Sequence, residues 1–221
     1  MRAIAIGPRA SSPRLRRACA RFGLRLIHDT TTPPRHDEAL RRLRSLPPGA
    51  IAMVTGRSGC GKSTLLEDLR AACAARGESI WTPPRARNAR VIDALGGTLH
   101  EALGTLARVG LADATILPRR VRDLSEGERA RFVLAQACAA RHAGWVLIDE
   151  FLAVVDRPTA RAVSAGARRV WRARESAPRL IVATAHTDLR STLRPDVHLD
   201  LDVHGGLGRG PDGRERSRGT Q

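Results

Sequence analysis

The sequence predicts an α/β fold built on a mostly parallel sheet, and three observations predict it. Continuous apolar runs at Ala50–Thr55, Trp145–Ile148 and Leu180–Ala183 have the composition of strands covered on both faces. Stretches with helical spacing alternate with them. A glycine-rich loop, Gly56-Arg57-Ser58-Gly59-Cys60-Gly61-Lys62-Ser63-Thr64, joins the first of these runs to a helix. Strand, glycine loop, helix is the order that a phosphate-binding loop requires.

In chain order, residues 12–22 read as a helix and Gly23 to His28 as a strand. Thr30 to Arg35 form a polar, proline-containing loop, and Asp37 to Leu46 a short helix ended by Pro47-Pro48-Gly49. Ser63 to Arg76 is helical, with Leu65, Leu66 and Leu69 on one side and Gly77 as its stop. Ser79-Ile80-Trp81 reads as a second core strand. Thr82 to Ala89, with Pro83 and Pro84, breaks regular structure and marks a subdomain boundary. Leu99 to Val109 is an amphipathic helix, and Arg129 to Arg141 a further one. Asp156 followed by Pro158 starts another. Val197 to Val203 alternates like an edge strand. From Gly205 onward glycine and arginine dominate, which predicts a disordered tail. The expected organisation is one domain over 1–203, with a small helical subdomain at about 84–124, and a tail over 204–221. The sequence has no internal repeat.

A chain of 221 residues can bury a real core. With aromatics at 3% and no tyrosine, that core must be built from Leu, Val, Ile and Ala. No apolar run reaches the roughly 18 residues of a membrane span, and no signal-peptide core is present. These features predict a soluble, cytoplasmic protein without direct membrane insertion. Cys19, Cys60, Cys73 and Cys138 form no C-x-x-C pair, which argues for a reducing compartment and against zinc. The net charge is +16. It suits nucleic acid, but the arginines are spread along the chain without interleaved aromatics. An arginine-for-lysine bias in composition accounts for it more simply.

That bias makes Lys62 informative. Of 38 basic residues it is the single lysine. A compact ammonium at this loop position can reach the β- and γ-phosphates of a nucleotide, which a planar guanidinium does less well. The glycines let backbone N–H groups turn inward around the phosphates. Ser63 supplies a hydroxyl for Mg²⁺, and Thr64 lies in the first turn of a helix whose N-terminus favours anions. The predicted ATP-binding set is Gly56, Ser58, Gly59, Cys60, Gly61, Lys62, Ser63 and Thr64.

Two further patterns follow. The strand Trp145–Ile148 ends in Asp149 and Glu150, suited respectively to holding Mg²⁺ and to orienting or deprotonating water. Leu124-Ser125-Glu126-Gly127-Glu128 contains an S-x-x-E capping box, and it also places a serine and a glycine at an exposed helix start.

In this order the motifs resemble those of the ATP-binding-cassette (ABC) ATPases. Gly56–Thr64 resembles the Walker A loop, and Ile148-Asp149-Glu150 resembles Walker B with its catalytic glutamate. Leu124–Glu128 is similar to the signature motif, with Glu126 for a glycine and Glu128 for the glutamine. Val155-Asp156 resembles the end of the D-loop, and His186 the switch histidine. The resemblance covers about residues 20–203. It implies catalytic Glu150, His186 and Lys62, metal ligands Ser63 and Asp149, and a D-loop Asp156. It also implies an ATP-dependent head-to-tail homodimer in which Ser125, Gly127 and Glu128 act in trans on the partner's ATP. Segments around Phe22, Phe151, Asp156–Ala160 and Ala183–Leu189 resemble more narrowly the soluble ABC ATPases linked to GNAT-type acetyltransferases.

The sequence departs from the family pattern in two places. No glutamine lies between the phosphate loop and the signature, and Asn88 and Asp93 are the candidates to replace it. The aromatic that stacks on adenine has no clear equivalent, with Phe22, His28 and His36 as candidates. The missing glutamine points away from transport, toward an ATPase driving a soluble partner, either nucleic acid or an acetyltransferase-type protein. The alternative is the ATP-binding subunit of a transporter.

Overall fold

The computed structural model describes residues 2–6, 13–22, 24–28, 36–84, 86–140 and 143–202, with side chains for 17–22, 36–84, 86–140 and 143–202. The expected loop at Thr30–Arg35 and the expected tail from Gly205 lie outside the described residues. The chain divides into two compact units, Met1–Asp37 and Glu38–Gln221. In the first, β1 (Arg2–Ile6) and β2 (Leu24–His28) pair in parallel, with α1 (Pro13–Arg21) between them in sequence.

In the second unit, alternate residues of β3 (Ile51–Thr55) enter two different cores, because side chains on a strand alternate between its faces. Ile51 and Met53 join one buried cluster. Ala52 and Val54 join the other, with Leu65, Leu66 and Leu69 of α3 (Lys62–Ala74) and Leu43 of α2 (Asp37–Arg44). The first cluster includes residues of α4 (Leu99–Arg108), α5 (Glu126–Ala139) and α6 (Arg157–Arg172). A sheet with helices on both faces follows, and its central strands are apolar throughout for that reason. The sheet runs β4 (Ile80–Trp81), β5 (Trp145–Ile148), β6 (Arg179–Thr184), β3, β7 (Val197–Asp200). Every pairing is parallel. The register opposes Thr55 to Thr184 and to Asp200, and Ile148 to Val182. The carboxyl ends of β3, β5, β6 and β7 therefore lie along one rim, where open parallel sheets bind ligands.

Two elements depart from expectation. Ile80–Trp81 is a two-residue, half-buried edge strand rather than a core strand, because only β5 pairs with it. Helix α5 begins at Glu126, three residues before the expected Arg129, because Ser125 is itself the N-cap. The stop at Gly77 is as expected. Gly77 has φ +67°, and the amides of Gly77 and Glu78 close back onto Ala74 and Cys73. Helix α7 (Arg190–Leu193) is a single turn after β6. Among the described residues no helix is long and apolar enough to cross a membrane.

Candidate nucleotide site

The loop after β3 turns three times through backbone that L side chains avoid, at Gly56, Gly59 and Gly61. Gly56 has φ +148°, and a Cβ there would stand 2.5 Å from Cys60 Sγ. Gly61, at φ +102°, is the N-cap of α3 and has no side chain to cap with. The first-turn amides of α3 are thereby presented to the cleft, the arrangement that favours an anion.

Lys62, half-buried, curls back over the loop. Its Nζ donates to Gly56 O at 2.6 Å and Arg57 O at 2.7 Å. Ser63 Oγ donates to Asp149 Oδ2 at 2.6 Å, joining two residues 86 positions apart in sequence. Together Ser58, Gly59, Gly61, Lys62, Ser63, Thr64, Asp149 and Glu150 line a cleft of about 200 Å³. The two oxygen donors Ser63 and Asp149 suit Mg²⁺, which takes one or two protein oxygens and completes its shell with water and phosphate. The donor set therefore fits that ion.

Glu150 follows Asp149 with φ +51°, a conformation that costs a non-glycine residue about 1–2 kcal/mol. Its amide donates to Asp149 Oδ1 at 2.9 Å, and the Phe151 amide donates to Ala183 O at 2.8 Å. These bonds hold the strained turn, and the Glu150 side chain is exposed at the cleft.

His186 is half-buried beyond β6 and precedes the 3-10 turn Thr187–Leu189. Its amide donates to Thr184 Oγ1 at 3.2 Å. It is not among the residues lining the cleft. Asp156 caps α6, accepting from the Thr159 amide at 3.0 Å, a bond that holds its carboxyl below the usual range.

The Ser125–Glu128 segment forms the predicted reciprocal cap. Ser125 Oγ accepts from the Glu128 amide, and Glu128 Oε2 accepts from the Ser125 amide at 2.7 Å. Arg119 Nη1 adds a bond to Glu128 Oε1 at 3.1 Å. The Ser125 amide, with help from Arg119, keeps the Glu128 carboxyl ionised below its ordinary value. The Ser125 hydroxyl also bonds the Glu128 carboxylate, so the two side chains of the box are engaged with each other. Ser125, Gly127 and Glu128 do not line the phosphate-loop cleft of their own chain.

Asp202, which the sequence reading did not single out, anchors the phosphate loop at Arg57. Its Oδ2 accepts from the Arg57 amide at 2.7 Å, and its Oδ1 pairs with Arg57 Nε at 3.4 Å. Only the register of β7 beside β3 brings it there. Of the candidates for the missing glutamine, Asn88 accepts from Arg122 Nη1 at 3.1 Å and Asp93 is exposed; neither lines the cleft. Of the stacking candidates, Phe22 is exposed and His36 half-buried, while the side chain of His28 lies outside the described residues.

A family model described as "AAA domain" matches residues 15–187. Among curated proteins, the chain is similar to the aliphatic sulfonates import ATP-binding protein SsuB of Cupriavidus necator, with 38% identity over 152 residues. That alignment covers 57% of this chain and 49% of the relative. The SsuB of Cupriavidus pinatubonensis is 32% identical over 195 residues, covering 75% of this chain and 64% of the relative. The chain thus spans about half to two-thirds of these relatives' lengths. Among solved structures, one from Pyrococcus furiosus, described as a candidate ABC transporter ATP-binding protein, superposes with a TM-score of 0.55 at 18% identity. It covers 70% of this chain and 86% of its own. At that identity the likeness is one of fold, and the fold is that of an ATP-binding cassette.

Proposed function

The chain belongs to the AAA domain family, and we propose that it binds and hydrolyses Mg-ATP as the ATP-binding subunit of an ABC import system. One observation carries the ATPase reading. Lys62, the Ser63–Asp149 hydrogen bond and the exposed Glu150 converge on one cleft at the carboxyl rim of the sheet.

The roles follow from the chemistry. The α3 amides and Lys62 would hold the phosphates, the lysine exchanging its two loop carbonyls for phosphate oxygens. Ser63 and Asp149 would hold Mg²⁺, which neutralises phosphate charge when bound. Glu150 would accept the proton of attacking water, and His186 would contact the γ-phosphate from β6. Ser125 and Gly127 would serve a second copy's nucleotide, since they do not line the cleft of their own chain.

The relatives weigh against the soluble partner that the missing glutamine suggested. Both are named as import ATP-binding proteins, which favours a membrane-embedded partner over nucleic acid or an acetyltransferase. Aliphatic sulfonates are the first cargo class to assay. The test has two arms. Purified protein should release phosphate from Mg-ATP, and Lys62→Ala should not. Affinity purification from the native cell should recover a multi-span membrane protein in stoichiometric amount. Recovery of nucleic acid or a soluble acetyltransferase instead would return the reading to a soluble partner.

A further inference from the structure

An ion-pair cluster ties the turn after β6 to the start of α6. Asp188 lies two residues beyond His186. Its Oδ1 accepts from Arg157 Nη2 at 2.6 Å and its Oδ2 from Arg161 Nε at 2.9 Å. Arg157 follows Asp156 directly and opens α6; Arg161 lies one turn along the same face. Both oxygens of one carboxylate are therefore gripped by two arms of one rigid helix, which fixes direction as well as distance.

The other end of the grip is equally local. His186 is the N-cap of the 3-10 turn that carries Asp188, and the turn is pinned at Leu189, which is fully buried. Burial raises the Asp188 carboxyl, but the bonds from Arg161 and Arg157 outweigh it and hold the group ionised. Arg157 Nη1 is buried with no hydrogen-bond partner among the described residues. Leaving a donor unsatisfied costs about 1–3 kcal/mol, so packing alone does not favour that guanidinium there. The ion pair with Asp188 is the interaction that keeps it in place.

We propose that Asp188 is a positioning residue for hydrolysis: clamped by Arg157 and Arg161, it fixes the His186 loop to the start of α6. The inference rests on the ATPase reading above.

The test measures turnover and nucleotide affinity separately. Asp188→Ala should lower kcat by on the order of 10- to 100-fold, the range for a misplaced catalytic group. Binding of a fluorescent ATP analogue should stay within about twofold, because no ground-state contact is removed. Arg157→Gln/Arg161→Gln should reproduce the loss. In a His186→Ala background, Asp188→Ala should add less than about twofold, since both then act through one group. Asp188→Asn, which keeps the side-chain volume, provides the same comparison if the alanine variant does not fold. Wild-type turnover in Asp188→Ala or Asp188→Asn would overturn the proposal. So would a loss that multiplies with that of His186→Ala, or a parallel loss of affinity. Absence of turnover in the wild type would instead overturn the ATPase reading, and this inference with it.

Discussion

At the scale of single residues, position confers chemistry that composition alone does not. Glu150 is an ordinary carboxylate, but the turn at φ +51° and the bond from its amide to Asp149 aim it at the cleft. Glu150→Gln keeps the shape and removes the proposed base. It should leave ATP affinity near wild type and slow hydrolysis by about 10²–10⁴-fold, the usual contribution of a positioned base. Titration calorimetry and single-turnover phosphate release would measure the two separately. A variant hydrolysing at the wild-type rate would exclude this role. Lys62, Asp149 and Glu150 were legible in sequence because each closes a short motif. Asp202 was not, because its partner Arg57 lies 145 positions away and only strand register joins them.

His198 shows the same dependence on place. It sits on β7, bonded through Nε2 to buried Thr55 Oγ1 at 2.8 Å. Burial, with help from Arg190 and against Asp200, holds its folded value below the ordinary 6.5. The unfolded chain therefore binds the proton first. The stabilising contribution is complete above about pH 6.5 and is lost as pH falls through the lower folded value. Denaturant unfolding at pH 7.5 and pH 5.5 should show wild type losing more stability than His198→Gln. An equal loss in both proteins would contradict the assignment.

At the scale of elements, helix ends were the most legible features. Gly77, Asp156 and the Ser125–Glu128 box stand in sequence as they stand in the fold. A second box, Thr98 with Glu101, caps α4 by the same T-x-x-E spacing, which the sequence analysis did not single out. Packing between helices was not readable. Gly166 of α6 reads as a poor helix residue, yet a Cβ there would lie 1.9 Å from Arg108 O at the end of α4. The glycine is therefore a contact that lets two helices meet. Gly166→Ala should destabilise the protein by about 1–3 kcal/mol despite its better helix propensity, since overpacking outweighs propensity here. Urea unfolding reads this directly, and a gain in stability would refute the close approach. The misjudged β4 has a related cause. Ile80 and Trp81 have a strand's composition, but their edge position depends on pairing with β5 alone, which composition does not encode.

At the scale of the whole molecule, the sheet places four strand ends on one rim and so gathers residues from across the chain. The chain order of the motifs anticipated the meeting of the phosphate loop with Asp149 and Glu150, whereas His186 does not line the cleft. The partner was less legible: the missing glutamine pointed to a soluble one, whereas two relatives are named for import. One feature of the rim bears on assembly. The capped helix start at Ser125–Glu128 does not line the phosphate-loop cleft of its own chain. A composite site shared head to tail would give it a nucleotide to serve. The direct test mixes Lys62→Ala with Ser125→Arg protein and measures phosphate release from Mg-ATP. Each variant alone should be inactive. At equal amounts the mixture should regain about a quarter of wild-type activity, because half the dimers are mixed and each has one intact site of two. No recovery, with mixed dimers confirmed by co-purification of differently tagged chains, would contradict a shared site.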